Sequence, residues 1–328
     1  MDDAKGRKSA EGPTRQVPRL TFGFRQSPRL TQFADLDCTH RGKGKIIDPS
    51  LMGGQGKGLG RARDVVQGRE AVLGWLRRRG LDARWGTGEA TLFLPRNRQG
   101  REEFYALLRR YSFRLFLRDV LAHRESISLA DLQKYCSRNA ARRYLDTLRR
   151  TRIVASRGRG RYKLARARVN SFGDTLEWLV ATVLEREFLI PALWNARVEA
   201  LPGGGDCDVL ACAEGRLIYV ETKAAPPRHI DQKHVTAFFD RLEALRPDMA
   251  IFLEDTKLRM QDKLVKMFEL EIARRLNHRP VLERVQGETF TIRRRVFLTN
   301  TQPDLVRAIG ICLERFFASL PYCLSVGE

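Results

Sequence analysis

Two neighbouring stretches of this 328-residue chain, GGGDCDVLACAEG and RLIYVETKAA, constrain its fold more than any other feature. The second alternates Leu217, Tyr219 and Glu221 with Ile218, Val220 and Thr222, the period of a strand with two distinct faces. It ends with Glu221 and Lys223, opposite charges that share a face because strand side chains repeat every second residue. The first reads as a strand carrying Asp208. Two carboxylates and an amine at the ends of neighbouring strands can hold a divalent cation and position a water.

The surrounding order is regular. SFGDTLEWLVATVLEREF reads as a helix whose core side is Phe172, Leu176, Leu179, Val180, Val183, Leu184 and Phe188. Glu177 falls inside that apolar sector, where a lone carboxylate is costly unless it is paired, bound to a metal or set at a cleft rim. Glu185 and Arg186 fall on the wet side. Strands are expected at 194–201, 206–213, 216–224 and 249–254, helices at 229–246, 256–277 and 303–319, and a hairpin through 282–299. That is a mixed α/β layer.

Glu177, Asp208 in GGGDCDVLA and Glu221-Thr222-Lys223 in YVETK resemble the PD-(D/E)XK nuclease superfamily, the restriction-endonuclease-like fold. The likeness covers about residues 170–255 and is similar to the branches that include Mrr-type endonucleases and archaeal Holliday junction resolvases. The proline that names the motif is absent, with Gly205 or Cys207 standing near its place. Asp206 and Asp208 therefore both remain candidates, Asp208 preferred because it lies deeper in the strand. The resemblance implies that Asp208 and Glu221 bind Mg²⁺ or Mn²⁺ with the Thr222 carbonyl and, directly or through water, Glu177, and that Lys223 orients a water or neutralises the phosphorane-like oxygen. It also implies a weaker role for Gln232 on the next helix, beside His229 and Lys233, and a place in defence, repair or recombination.

Charge divides the chain. Residues 1–170 hold 39 Lys and Arg against 16 Asp and Glu, whereas residues 171–328 hold 21 against 23. A basic half joined to a neutral half points to a part that grips a polyanion attached to a part that does something else. Residues 1–67, rich in Gly, Arg, Lys and Pro, read as a disordered basic arm. Within it GGQGKGLG fails as a phosphate loop because no strand precedes it and no GK[ST] closes it.

Residues 68–168 read as a winged-helix-like nucleic-acid-binding region. A short helix about Val72–Leu76 is followed by a strand in EATLFLP, a helix over 101–123, a helix in LADLQKYC and a helix over 138–150. In the last, Ala141, Tyr144, Leu145 and Leu148 repeat at helical spacing and leave Arg138, Asn139, Arg142 and Arg143 outside. Two short strands, RIVAS and RYKLA, then carry Arg157, Arg159 and Arg161 on a wing. Residues 111–170 hold 16 basic and 4 acidic side chains, an excess that suits phosphate neutralisation. The resemblance implies that residues 169–328 form the nuclease-like domain. Double-stranded DNA is the expected partner, because an A-form major groove is too narrow for a helix.

No run of 18 apolar residues appears, and MDDAKGRKSAEG lacks the apolar stretch of a secretory signal. The six cysteines show no CxxC or zinc-finger spacing. The expectation is a cytoplasmic chain without structural zinc. Two rivals remain: a catalytically inactive DNA-binding regulator, and an effector switched on by a small ligand or partner. The apolar C-terminal helix, with Ile309, Ile311, Leu313, Phe316, Phe317 and Leu320, is either a core helix or the face of a homodimer.

Overall fold

The structure, a computed structural model, describes residues 57–321 apart from 87, 200, 202–204 and 277–281, with side chains from residue 67 onward. Most of the basic arm and His278 lie outside the described residues. No helix among the described residues is long and apolar enough to cross a membrane.

The architecture is α/β: among the described residues, a mixed sheet of eight strands is flanked by helices on both faces. Helix α1 spans Lys57–Arg78, so helix begins inside the segment expected to be an unstructured arm. Strand β1 (Ala83–Trp85) follows. The expected strand in EATLFLP does not form: Glu89–Thr91 is a short 3₁₀ turn. Its apolar run is nevertheless core, because Leu92, Phe93 and Leu94 are buried and the Phe93 amide donates to Thr175 Oγ1 at 3.0 Å.

The helix expected over 101–123 is two helices, α2 (Arg98–Leu108) and α3 (Tyr111–Ala122), parted at Arg109 and Arg110. Continuous periodicity hid the break, since Phe104 and Phe113 meet edge to face across it. LADLQKYC, expected as a helix, yields only a 3₁₀ turn at Ala130–Leu132, in which Asp131 accepts from the Ser128 amide and hydroxyl. Helix α4 is Arg138–Arg150, started by the Ser137 hydroxyl accepting from the Ala140 amide, with Ala141, Tyr144, Leu145 and Leu148 buried. Strands β2 (Val154–Gly158) and β3 (Arg161–Leu164) pair as a separate antiparallel hairpin.

The main layer then follows in order: α5 (Gly173–Glu187), β4 (Ala192–Val198), β5 (Asp206–Ala213), β6 (Arg216–Lys223), α6 (Gln232–Leu245), β7 (Met249–Glu254), α7 (Lys266–Leu276), β8 (Glu283–Gln286), β9 (Thr289–Ile292), β10 (Val296–Asn300) and α8 (Leu305–Phe317). Sheet order is β1-β4-β5-β6-β7-β10-β9-β8. Strands β4, β5 and β6 run antiparallel, whereas β6, β7 and β10 run parallel. Alternation along β6 separates the faces. Ile218 and Val220 pack with α2–α5 and α8, and Leu217 and Tyr219 pack with α1, α6 and α7.

The helical layer and the sheet therefore share one core. Helix α8 is a core helix, with Ile309, Cys312 and Phe316 buried against the sheet. Glu185, expected on the wet side, is instead clamped by Arg69 Nε and Nη2 at 2.8 and 3.0 Å, because α1 covers that flank.

Candidate active site

The turn before β5 is sterically closed to any residue but glycine. Gly205 has φ +80°, and a Cβ there would lie 2.3 Å from the Val198 carbonyl, whose own amide donates to Gly205 O at 2.7 Å. Beyond it the strand loses its alternation. Cys207 packs with one core and Val209 with the other, and on the facing strand the same switch occurs between Trp194 and Ala196, where Asn195 has φ +50°. Asp208 sits at that switch. Its Oδ2 accepts from the Thr222 amide at 2.7 Å and the Thr222 hydroxyl at 3.1 Å, which ties the start of β5 to the end of β6. Asp206, the other candidate, is exposed at the first residue of β5.

On the opposite face of β6, Lys223 Nζ donates to Glu221 Oε1 at 2.5 Å, the same-face pair implied by strand period. Glu221 is 2 % exposed and is also held by Arg241 of α6 at 3.1 and 3.3 Å and by the Tyr219 hydroxyl. Arg241 was not visible as a partner in the sequence, because the pairing depends on how α6 crosses the sheet. Gln232, expected to face the site, does not. The helix starts at Gln232 rather than near Arg228, which turns its amide to Met267 O at 3.1 Å and Glu271 at 3.3 Å on α7. His229 and Lys233 are exposed, and His234 caps α6 with Asp231.

Glu177 projects half-buried from α5. Burial first, then the charges of Asp208, Asp174 and Glu221, push its carboxyl up to about 9, and Lys223 pulls the other way. Asp208 is pushed up to about 7 by burial and by Glu221, against the pull of Lys223 and the Thr222 hydrogen bonds. The four groups thus lie in one electrostatic neighbourhood, in which Lys223 and Arg241 stand against the carboxylates. Such oxygen donors suit a hard divalent cation. Among the described residues no three acidic, His or Cys side chains form a ready metal cage. Mg²⁺ does not ask for one, since it keeps several waters and commonly takes one or two carboxylates with the substrate's phosphate.

The residues expected to meet nucleic acid stand on other elements. Arg138, Asn139, Arg142 and Arg143 are exposed on α4, and Arg157, Arg159 and Arg161 are exposed on the β2–β3 hairpin.

Solved structures resemble the chain. Protein VC1899 from Vibrio cholerae aligns over 64 % of this chain and 57 % of its own, with 16 % identity and a TM-score of 0.40. Can2 from Sulfobacillus thermosulfidooxidans, solved in complex with cyclic tetra-adenylate, aligns over 75 % of this chain and 60 % of its own, with 11 % identity and a TM-score of 0.43. The chain spans less than two thirds of either protein's length. No family model and no curated protein matches its sequence.

Proposed function

We propose that this protein is a Mg²⁺-dependent nuclease that hydrolyses phosphodiester bonds in DNA, with a restriction-endonuclease-like core and a winged-helix module that grips the duplex. The observation that carries this reading is geometric: Asp208 is hydrogen-bonded to the amide and hydroxyl of Thr222, directly between Glu221 and Lys223, which pair with each other at the end of β6. The order α5, β4–β6, α6, β7 supports it, as does the exposed arginine face of α4 beside a basic hairpin.

Asp208 and Glu221, with Glu177 and the Thr222 carbonyl beside them, would hold the Mg²⁺ or Mn²⁺, which when bound supplies positive charge to polarise the scissile phosphate. Thr222 fixes Asp208 through Oδ2 alone, so Oδ1 is left for a ligand. Lys223 spends one of its three protons on Glu221 and has two for the attacking water and a phosphate oxygen. The water oxygen bonds to phosphorus as the P–O bond to the leaving strand breaks, and the water's proton passes through solvent to the leaving oxygen. Arg241 acts through Glu221 and holds its carboxylate in register.

The test is cleavage of supercoiled plasmid in Mg²⁺ by the wild type, Lys223→Ala and Asp208→Asn. Cleavage by the wild type, at least about 10³-fold lower in both variants while DNA binding persists, is the expected result. A second reading has its own observation: both Glu221 oxygens are already engaged by cations and a phenol. A non-cleaving DNA-binding regulator would keep that network closed, and it wins if all three proteins bind DNA equally and none cuts it. Activity that appears only on adding a nucleotide would mark a ligand-switched effector.

A further inference from the structure

The parallel strands β6, β7 and β10 present their carboxyl ends on one edge of the sheet, the edge where open α/β sheets bind ligands. The site described above uses only the end of β6. A second cleft, of about 590 Å³, opens at the ends of β7 and β10 against the start of α3. Pockets that bury small ligands commonly measure about 300–1,000 Å³.

The lining of this cleft is chemically uneven. Arg109, Arg110 and Lys257 supply cations, and Tyr111 and Tyr135 supply aromatic faces. Arg110 and Lys257 are exposed and form no ion pair among the described residues. Lys257 lies 5.8 Å from the Tyr111 ring centroid, and Tyr135 is 44 % exposed, an unusual place for a large aromatic side chain. The acidic groups nearby are committed elsewhere. Asp304 caps α8, and Asp255 is consumed by Arg114 and Arg118. An anion entering the cleft therefore meets unspent positive charge beside π-faces.

The cleft is also joined to the candidate active site. The Asp255 amide donates to Lys223 O at 2.8 Å, and Lys257 follows within at most about 7 Å of extended chain. Arg118, 21 % exposed and bound to the same Asp255, lies over the Phe172 ring at the start of α5, the helix that carries Glu177.

Resting on the nuclease reading, we propose that this cleft holds one unpaired nucleotide of the DNA strand running from the candidate active site. Its phosphate lies between Arg110 and Lys257, and its base lies against Tyr135. A base can stack on a side chain there only after leaving its partner strand, as in the aromatic platforms of single-strand binders. The preferred substrate is then a duplex with an unpaired strand next to the cut, α4 and the hairpin holding the paired part.

The test is binding of the full chain, in EDTA so that nothing is cut, to a labelled single strand and to a duplex of equal length. Tyr135→Ala should weaken single-strand binding by about 10-fold and duplex binding by less than about 2-fold, since one stacked base is worth roughly 5- to 150-fold. Arg110→Ala with Lys257→Ala should lower the single-strand salt slope by about 0.7, one phosphate's worth. Equal losses on both DNAs, no loss, or a wild type that ignores the single strand would overturn the proposal. Failure of the nuclease reading shows separately, as selective single-strand binding by a protein that never cuts plasmid.

Discussion

The arginines of α4 and those of α3 carry the same charge into opposite situations. Arg138, Arg142 and Arg143 stand in solvent, whereas Arg114 is 1 % exposed and donates to both Asp255 oxygens at 2.7 to 3.0 Å. An exposed charge costs the fold nothing and acts at a distance, with a strength that salt controls. A buried one is fixed by geometry, and its removal leaves a partner charge stranded in a low dielectric. The first kind suits gripping a polyanion in many registers, and the second suits holding one arrangement of a strand end. Asp255 also takes Arg118 at 2.5 Å and the Thr301 hydroxyl at 3.2 Å, so one carboxylate ties α3 to the ends of both β7 and β10.

That contrast can be broken experimentally. The largest effect expected is on stability: Arg114→Ala should cost about 3–5 kcal/mol in chemical unfolding, because Asp255 stays buried without its main partner. A loss below about 1 kcal/mol would mean that Arg118 alone suffices. Next, Arg142→Glu with Arg143→Glu should leave the unfolding midpoint unchanged, weaken duplex binding by roughly tenfold or more and lower the salt slope by about 2. Stability loss there, or an unchanged slope, would erase the distinction between the two regions.

The smallest effect concerns Glu254, fully buried at the end of β7 with neither carboxyl oxygen bonded among the described residues. Burial and the neighbouring Asp255 push its pKa up to about 8. A carboxyl raised in the folded state favours folding below its unfolded pKa, and that contribution is lost as pH climbs through about 8. Glu254→Gln should therefore raise Tm at pH 9 and change it little at pH 4. Equal shifts at both pH values would show that packing, not charge, dominates that position.

Much of the scaffold was legible in the chain itself. Ser137 with the Ala141, Tyr144, Leu145 and Leu148 stripe fixed α4 to the residue, and alternation fixed β6. Glu177 stood out because a helix repeats every 3.6 residues and its polar head fell among apolar neighbours. Less was legible where two signals overlapped. Apolar residues continued across Arg109 and Arg110, so a break looked like one helix, and EATLFLP had strand composition yet was needed as an irregular core segment against Thr175.

Sequence alone determined α4, β6, the division of charge and the residue types at the end of β6, because those follow from short-range periodicity and composition. Tertiary structure decided the rest. Only the fold switched the faces of β5 at Asp208, brought Arg241 to Glu221, turned Gln232 away and buried Asp255 under Arg114. Those outcomes depend on where elements far apart in the chain cross one another, and on burial, which sets what each charge costs.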